Sequence, residues 1–294
     1  MELGDYMQRK EGFIDLEKIL KEIGVDTSSF ESIYHSDKVK HFSTPMSLFL
    51  VFNYNKEEYY FKNNEFFSPY SEMIVSELLN DFNINHVEYD LASLKEYKGL
   101  LSRSFRKKDA NYIKGSELLM EYSGEVDKYM LEDYNNLEDI WMAIYERYKD
   151  NNITKKLVDQ IIDLYIFDAV ICNHDRHSFN FEIEEYKGDV NLAPVYDNER
   201  FLMTDHISLN VDNSKQNLYE SIEYFINTSS SEYLDRVKDK LWIISDENIL
   251  KAYNRIEEKT GAKIPDEMKS GYLEKFRAHR EKLEEIIDKC TRMR

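Results

Sequence analysis

The stretch Ile171-Cys172-Asn173-His174-Asp175-Arg176-His177-Ser178-Phe179-Asn180-Phe181, followed by Leu192-Ala193-Pro194-Val195-Tyr196-Asp197-Asn198, decides how this chain reads. Leu157, Ile161, Leu164, Tyr165 and Asp168 recur at helical spacing ahead of it, so the first segment is a polar loop at a helix end. Between Phe181 and Val195 the pattern predicts a short hairpin turning at Lys187-Gly188. Asp175 and Asn180 stand in the first loop, and Asp197 stands in the second, after the hairpin.

Phosphoryl transfer has a use for this set. It needs a carboxylate to orient and deprotonate an attacking hydroxyl, and oxygen ligands to hold Mg²⁺ against phosphates. Asp175 suits the first role; Asn180 and Asp197 suit the second. An asparagine at the metal gives an oxygen without another negative charge facing ATP. Asp, Asn and His also gather in loops because they cap and turn, and either Asp175 or Asn180 alone would read that way. The D-R-H-x-x-N string with a second acidic loop downstream is far less common by chance.

Upstream, Ser47 to Tyr54 and Glu57 to Lys62 read as a hairpin turning at Asn55-Lys56. Ser68-Pro69 reads as an N-cap with proline at the first helical position, and Val75, Leu78, Leu79 and Phe82 form one apolar stripe behind it. A phosphate-handling lysine on a strand needs a helix carboxylate to hold it. Lys62 ends the hairpin, and Glu72, flanking the stripe, is its expected partner. At about 100° per residue Glu77 falls nearly opposite the stripe and is expected to face solvent. The first forty residues read as helical, with Leu16, Ile19, Leu20 and Ile23 on one face and Gly24 as a stop. Strands are expected around His86 to Leu91 and Gly99 to Phe105. Leu137, Ile140, Trp141, Ile144 and Tyr145 form a further stripe, and helix returns from about Glu232 to Arg294.

The texture changes near 105/106, where Arg106, Lys107 and Lys108 make a basic step that could meet phosphate or form a solvated turn. The expectation is an α+β chain with a sheet-containing region at 1–105 and a larger, mainly helical region at 106–294. A net charge of −18 over 294 residues disfavours general binding of nucleic acid or anionic membrane. No run of about 18 apolar residues and no secretory leader is visible, and two cysteines make no disulfide framework, so the expected location is cytoplasmic. His174 and His177 could suggest zinc, but no second ligand pair stands at a fixed spacing, and His177 reads better as a buried structural residue. Arg176 is expected to hold a carboxylate of its own loop. Cys172 is expected to be a small buried apolar group.

These residues carry a resemblance. Tyr60-Phe61-Lys62, Ser71-Glu72, Phe82-Asn83-Ile84, Leu100-Leu101-Ser102-Arg103-Ser104-Phe105 and the two loops quoted above are similar to the HipA-like serine/threonine kinases, closest in type to the compact cell-translocating kinase A proteins. The resemblance spans roughly residues 45 to 290. It implies a bilobed protein-kinase-like fold, with a small sheet-containing N-lobe, a larger helical C-lobe, and ATP and Mg²⁺ in the cleft. By that resemblance Asp175, Lys62 and Glu72 are catalytic, Asn180 and Asp197 are metal ligands, and the backbone from Arg103 to Phe105 is the hinge that takes adenine. It also implies a protein substrate with a Ser or Thr acceptor, a toxin or effector role, an antitoxin or regulatory partner, and autophosphorylation, with Ser43, Thr44 and Ser47 as candidates.

The chain departs from the family in two places. No glycine lies between Gly24 and Gly99, so His41 to Ser47 stands where a glycine-rich phosphate loop would be. Glu199 follows Asp197-Asn198 where the family often has glycine. The D-R-H-x-x-N string also occurs in phosphoinositide kinases. A phosphoinositide or small-molecule kinase, and a nucleotide-binding pseudokinase acting as a binding module, are therefore the alternative readings.

Overall fold

The structure, a computed structural model, describes residues 9–44, 47–64, 68–123, 137–173, 176, 178–198, 219, 223 and 231–293. The chain divides into two compact units: residues 1–77, 87–106 and 251–266 form the first, and residues 78–86, 107–250 and 267–294 the second.

The first unit is built on one seven-stranded sheet: β1 (Arg9–Lys10), β2 (Phe13–Asp15), β3 (Val39–Thr44), β4 (Ser47–Tyr54), β5 (Glu57–Asn64), β6 (Tyr89–Leu94) and β7 (Tyr97–Arg103). Their spatial order is β1-β2-β6-β7-β5-β4-β3, antiparallel except where β2 runs parallel to β6. The β4–β5 hairpin turns at Asn55 and Lys56, both at positive φ (51° and 69°), the geometry whose twist suits a two-residue connection. Leu50, Phe52, Tyr59, Phe61 and Leu101 from the sheet meet Leu16, Leu20 and Ile33 from two short helices, α1 (Leu16–Glu22) and α2 (Phe30–Tyr34), in one apolar cluster.

The beginning of the chain differs from its helical reading. Among the described residues 9–44, helix occupies only α1 and α2, and strands β1, β2 and β3 flank them. Gly24 at φ 80° and the Asp15 cap, which accepts from the Lys18 amide, bound α1. The short β1 strand is fixed by charge: Arg9 donates to both carboxylate oxygens of buried Asp90 on β6, at 2.8 and 2.5 Å. Burial pushes the Asp90 carboxyl above its ordinary value, and Arg9 opposes that shift. Strands β6 and β7 begin and end a few residues from the sequence expectation, because their tight connection is at Lys95 and Glu96.

Helix α3 (Pro69–Phe82) starts where Ser68-Pro69 predicts, with the Ser68 hydroxyl accepting from the Tyr70 amide. Val75, Leu78, Leu79 and Phe82 are buried as expected. Glu77 does not face solvent: it is 9% exposed and receives Arg255 Nε at 2.6 Å. The reason is tertiary. Helix α3 is covered on more than one side, so a carboxylate opposite the stripe still meets protein, and an arginine is supplied for it.

The second unit is mainly helical. Its described elements are α4 (Gly115–Ser123), α5 (Leu137–Tyr148), α6 (Asn151–Ile171), α7 (Ser231–Lys240), a 3₁₀ turn (Leu241–Ile244), part of α8 (Asp246–Thr260) and α9 (Asp266–Met293). A three-stranded sheet accompanies them: β8 (Asn111–Lys114), β9 (Glu182–Tyr186) and β10 (Asp189–Leu192), in the order β10-β9-β8. The β9–β10 hairpin turns at Lys187 and Gly188, at φ 51° and 82°. Strand β8, which extends this hairpin, carries no strong strand signal of its own.

Helix α6 is the spine of this unit. Its apolar positions Leu157, Ile161, Leu164 and Tyr165 are buried, as is Asp168. On α5, Ile140 and Ile144 are buried, but Trp141 is 44% exposed and stacks on Tyr145 with centroids 6.2 Å apart. The stripe expected there is thus narrower than its sequence. No helix among the described residues is long and apolar enough to cross a membrane.

Candidate active site

Helix α6 ends by design. Cys172 takes a left-handed conformation (φ 57°), and its amide returns to the Ala169 and Asp168 carbonyls. The chain therefore reverses into the loop that begins at Asn173. Asn173 is fully buried and donates Nδ2 to Asp168 Oδ1 at 2.7 Å.

Arg176 comes next, with no exposed side-chain surface. Its Nε donates to Asp168 Oδ2 at 3.0 Å and its Nη2 to Asp168 Oδ1 at 3.3 Å. Its Nη1 donates to the Asn180 carbonyl at 2.9 Å and to the Tyr196 carbonyl at 3.0 Å. Nη2 also donates to Asn198 Oδ1. The carboxylate that Arg176 holds is thus not in its own loop, as the sequence suggested, but on the preceding helix. Burial pushes the Asp168 carboxyl above its ordinary value; Arg176 and Asn173 work against that shift. A buried carboxylate with three donors and a buried guanidinium with carboxylate and carbonyl acceptors satisfy one another.

Further contacts fix the first loop. The first amides of α4 reach it: Gly115 donates to the Phe181 carbonyl at 3.0 Å, and Ser116 to the Ser178 carbonyl at 2.8 Å. The Tyr196 hydroxyl, from the second loop, donates to the Phe179 carbonyl at 3.2 Å and to Glu182 Oε1 at 3.0 Å. The hairpin is tied to α6 where Leu192 N–H donates to Gln160 Oε1 at 2.9 Å. Val195 is held by its own amide, which donates to the Asn85 carbonyl at 2.9 Å.

Asn180 is buried, and Asp197 is half-buried in a left-handed backbone conformation (φ 59°). Their loops meet on one guanidinium nitrogen, so the structure brings the two expected metal-ligand loops together. Both side chains offer hard oxygen atoms. One carboxylate and one amide oxygen, completed by phosphate oxygens, is a set that suits Mg²⁺. Asp175, His174, His177 and Glu199 lie outside the described residues.

In the first unit, Lys62 is half-buried on β5, opposite Phe49 on β4 and Leu100 on β7. The sheet is unusually close there: a Cβ on Gly99 would stand 2.3 Å from the Lys62 carbonyl oxygen. Glu72 lies in the first turn of α3 and is 2% exposed. Arg103 ends β7, paired with Tyr59, and is exposed; Phe105 is half-buried with the Arg106 guanidinium 5.5 Å from its ring centroid. Between them, Ser104 N–H is already used by the Glu58 carbonyl at 2.8 Å. Lys107, from the basic step, pairs with Glu184 and lies 4.7 Å from the Tyr186 ring centroid, so this step braces the three-stranded sheet. The segment expected to replace a phosphate loop is β3 running toward β4, with Thr44 in register with Ser47; Pro45, Met46 and the side chains of Ser43 and Thr44 lie outside the described residues.

Sequence reasoning missed Asp168 as the partner of Arg176, Asn198 as its acceptor, and Gly115 as the support of Phe181. An aspartate placed on an otherwise apolar helix face, eight residues ahead of an arginine, was the available signal for the first.

The fold and these loops define a phosphotransferase of the protein-kinase type. The chain belongs to the HipA-like kinase family: the family described as the HipA-like C-terminal domain matches residues 40–290. Among solved structures it is similar to the Helicobacter pylori proinflammatory kinase CtkA, with a TM-score of 0.62 and 16% identity over 83% of this chain and 94% of that one. It is also similar to HipA of Shewanella oneidensis MR-1, solved with HipB and operator DNA, with a TM-score of 0.57 and 13% identity over 92% of this chain and 72% of that one. No curated protein matches it in sequence. The α+β protein-kinase-like fold and the family expected from the two loops are thereby established.

Proposed function

We propose that this chain transfers the γ-phosphoryl group of MgATP to a serine or threonine hydroxyl of a protein. Asp175 orients that hydroxyl and takes its proton, the hydroxyl oxygen bonds to phosphorus, and ADP leaves. Asn180 and Asp197 hold Mg²⁺, which offsets the charge of the phosphates. Lys62 anchors the phosphates, Glu72 holds Lys62, and the backbone from Arg103 to Phe105 takes adenine. Residues 1–105 serve as the nucleotide-covering region and 106–294 as the catalytic region.

The observation that carries this reading is the shared nitrogen of Arg176, which gathers the Asn180 and Tyr196 carbonyls. One nitrogen thus ties the loop of Asn180 to the loop of Asp197, the proximity that a shared metal ion needs. Protein rather than lipid is favoured as acceptor, because a net charge of −18 opposes an anionic membrane. The solved HipA relative was crystallised with HipB and operator DNA. By that likeness the proposal includes an antitoxin or regulatory partner and a toxin or effector role. Contact with nucleic acid would come through that partner, not through this acidic chain. Autophosphorylation falls on Ser43, Thr44 or Ser47.

Intact-mass measurement after incubation with MgATP tests the reading. The wild-type chain is expected to gain phosphate, mapped within residues 41–47, and Asp175→Ala to gain none. Thermal stabilisation by MgATP without phosphate transfer to itself or to any protein acceptor would instead support a nucleotide-binding module.

A further inference from the structure

We propose that Arg176 is a positioning residue that sets Asn180 and Asp197 as one metal-binding unit, by clamping Asp197 through both of its neighbours. This rests on the proposed roles of Asn180 and Asp197 as metal ligands.

A guanidinium has five N–H groups in a planar fork. Here five contacts match them: Nε and Nη2 to Asp168, Nη2 to Asn198 Oδ1, and Nη1 to the Asn180 and Tyr196 carbonyls. The acceptors come from three places: helix α6, the loop ending at Asn180, and the loop through Asp197. Two of them, Tyr196 and Asn198, are the residues on either side of Asp197. Asp197 itself sits at φ 59°, a left-handed conformation that few non-glycine residues other than asparagine and aspartate adopt. The clamp holds the backbone on both sides of it. It also transmits the position of Asn180, because one nitrogen serves both loops. Asp168, held in turn by Asn173, sets the orientation of the fork from the rigid helix. Stability alone is a weak reason for this arrangement, since a buried ion pair is often no better than apolar residues of the same volume. A lysine has three donors around one point and cannot span the three elements.

The test uses the full chain as wild type, Arg176→Lys and Asn198→Ala. The second variant keeps the Arg176–Asp168 pair and so guards against loss of folding in the first. Two quantities are measured: hydrogen exchange of the amides in 178–181 and 195–198, and the Mg²⁺ dependence of phosphate transfer from ATP. The expected result is faster exchange in both segments together, with the middle of α6 unchanged. The half-saturating Mg²⁺ concentration should rise about tenfold or more, while KM for ATP at saturating Mg²⁺ stays within about twofold. Unchanged Mg²⁺ dependence in both variants, or faster exchange confined to one segment, would overturn the clamp. A wild-type chain whose transfer ignores Mg²⁺ would overturn the metal reading beneath it, and is told apart by appearing before any substitution.

Discussion

Gly115 and Phe181 are fitted to one another so closely that a side-chain carbon on Gly115 would stand 2.2 Å from Cζ of the phenylalanine ring. The same glycine donates its amide to the Phe181 carbonyl at 3.0 Å. The start of α4 therefore supports the end of the candidate catalytic loop through a contact that only glycine permits. Gly115→Ala is expected to lower stability by about 1–3 kcal/mol, as overpacking does, and to slow phosphate transfer more than the stability loss explains. Urea denaturation and transfer assays check this. Adding Phe181→Leu to Gly115→Ala should recover part of both losses; strictly additive effects would show that the two do not meet.

Arg255 covers Glu77 on helix α3, with Nε at 2.6 Å from Oε2 and Nη2 at 3.3 Å from the Glu77 carbonyl. Arg255→Met leaves a largely buried carboxylate without its cation and is expected to cost about 1–3 kcal/mol. The double variant Arg255→Met/Glu77→Gln should be less damaged than Arg255→Met alone. Thermal or urea unfolding of the three chains measures it.

The β9–β10 hairpin is tied to α6 by charge as well as by Gln160. Lys156 Nζ lies 2.7 Å from Asp189 Oδ1, and this bond, with Asn191 and the Val190 amide, holds the Asp189 carboxyl down at about 2 from its ordinary 3.8. A carboxyl lowered on folding stabilises the fold above its unfolded value, and that contribution is lost as pH falls through the folded one. Asp189→Asn should therefore be less stable than wild type near neutral pH, with the gap closing as pH falls from about 4 towards about 2. Paired urea midpoints across that range check the sign; a gap that widens in acid contradicts it. The effect should be small, because the pair is exposed and screened by salt.

What the sequence conveyed and what it withheld follow from the range of the forces involved. Asn55-Lys56 and Lys187-Gly188 mark their hairpins because positive φ is a local demand that few residues meet. Ser68-Pro69 marks the start of α3 because a capping hydroxyl and the fixed φ of proline are local as well. Glu77 was misplaced because its partner, Arg255, is 178 residues away, and no periodicity within one helix announces it. Strand β8 was invisible because its pairing is supplied by the hairpin after Phe181; β1 was invisible because two residues paired with neighbouring β2 show no pattern, and their long-range anchor is the Arg9–Asp90 ion pair. In the candidate site, Asn180 and Asp197 stood out as oxygen-bearing residues of two paired loops. The contacts that organise them, from Asp168, Arg176, Asn198 and Gly115, depend on packing. The order of Lys62, Glu72 and Asp175 along the chain suggested their roles and the family resemblance implies the same ones; the adenine hinge at Arg103 to Phe105 came from the resemblance alone.

In the proposed reaction, phosphate transfer from ATP depends on Asp175 and Asp197. Transfer of label from γ-³²P-ATP in the presence of Mg²⁺, to the chain itself and to a mixed protein substrate, measures it directly. With wild type, Asp175→Ala and Asp197→Ala compared at equal folded concentration, incorporation is expected to fall by about 100-fold or more in each variant. Incorporation by either variant equal to that of the wild type would contradict the account.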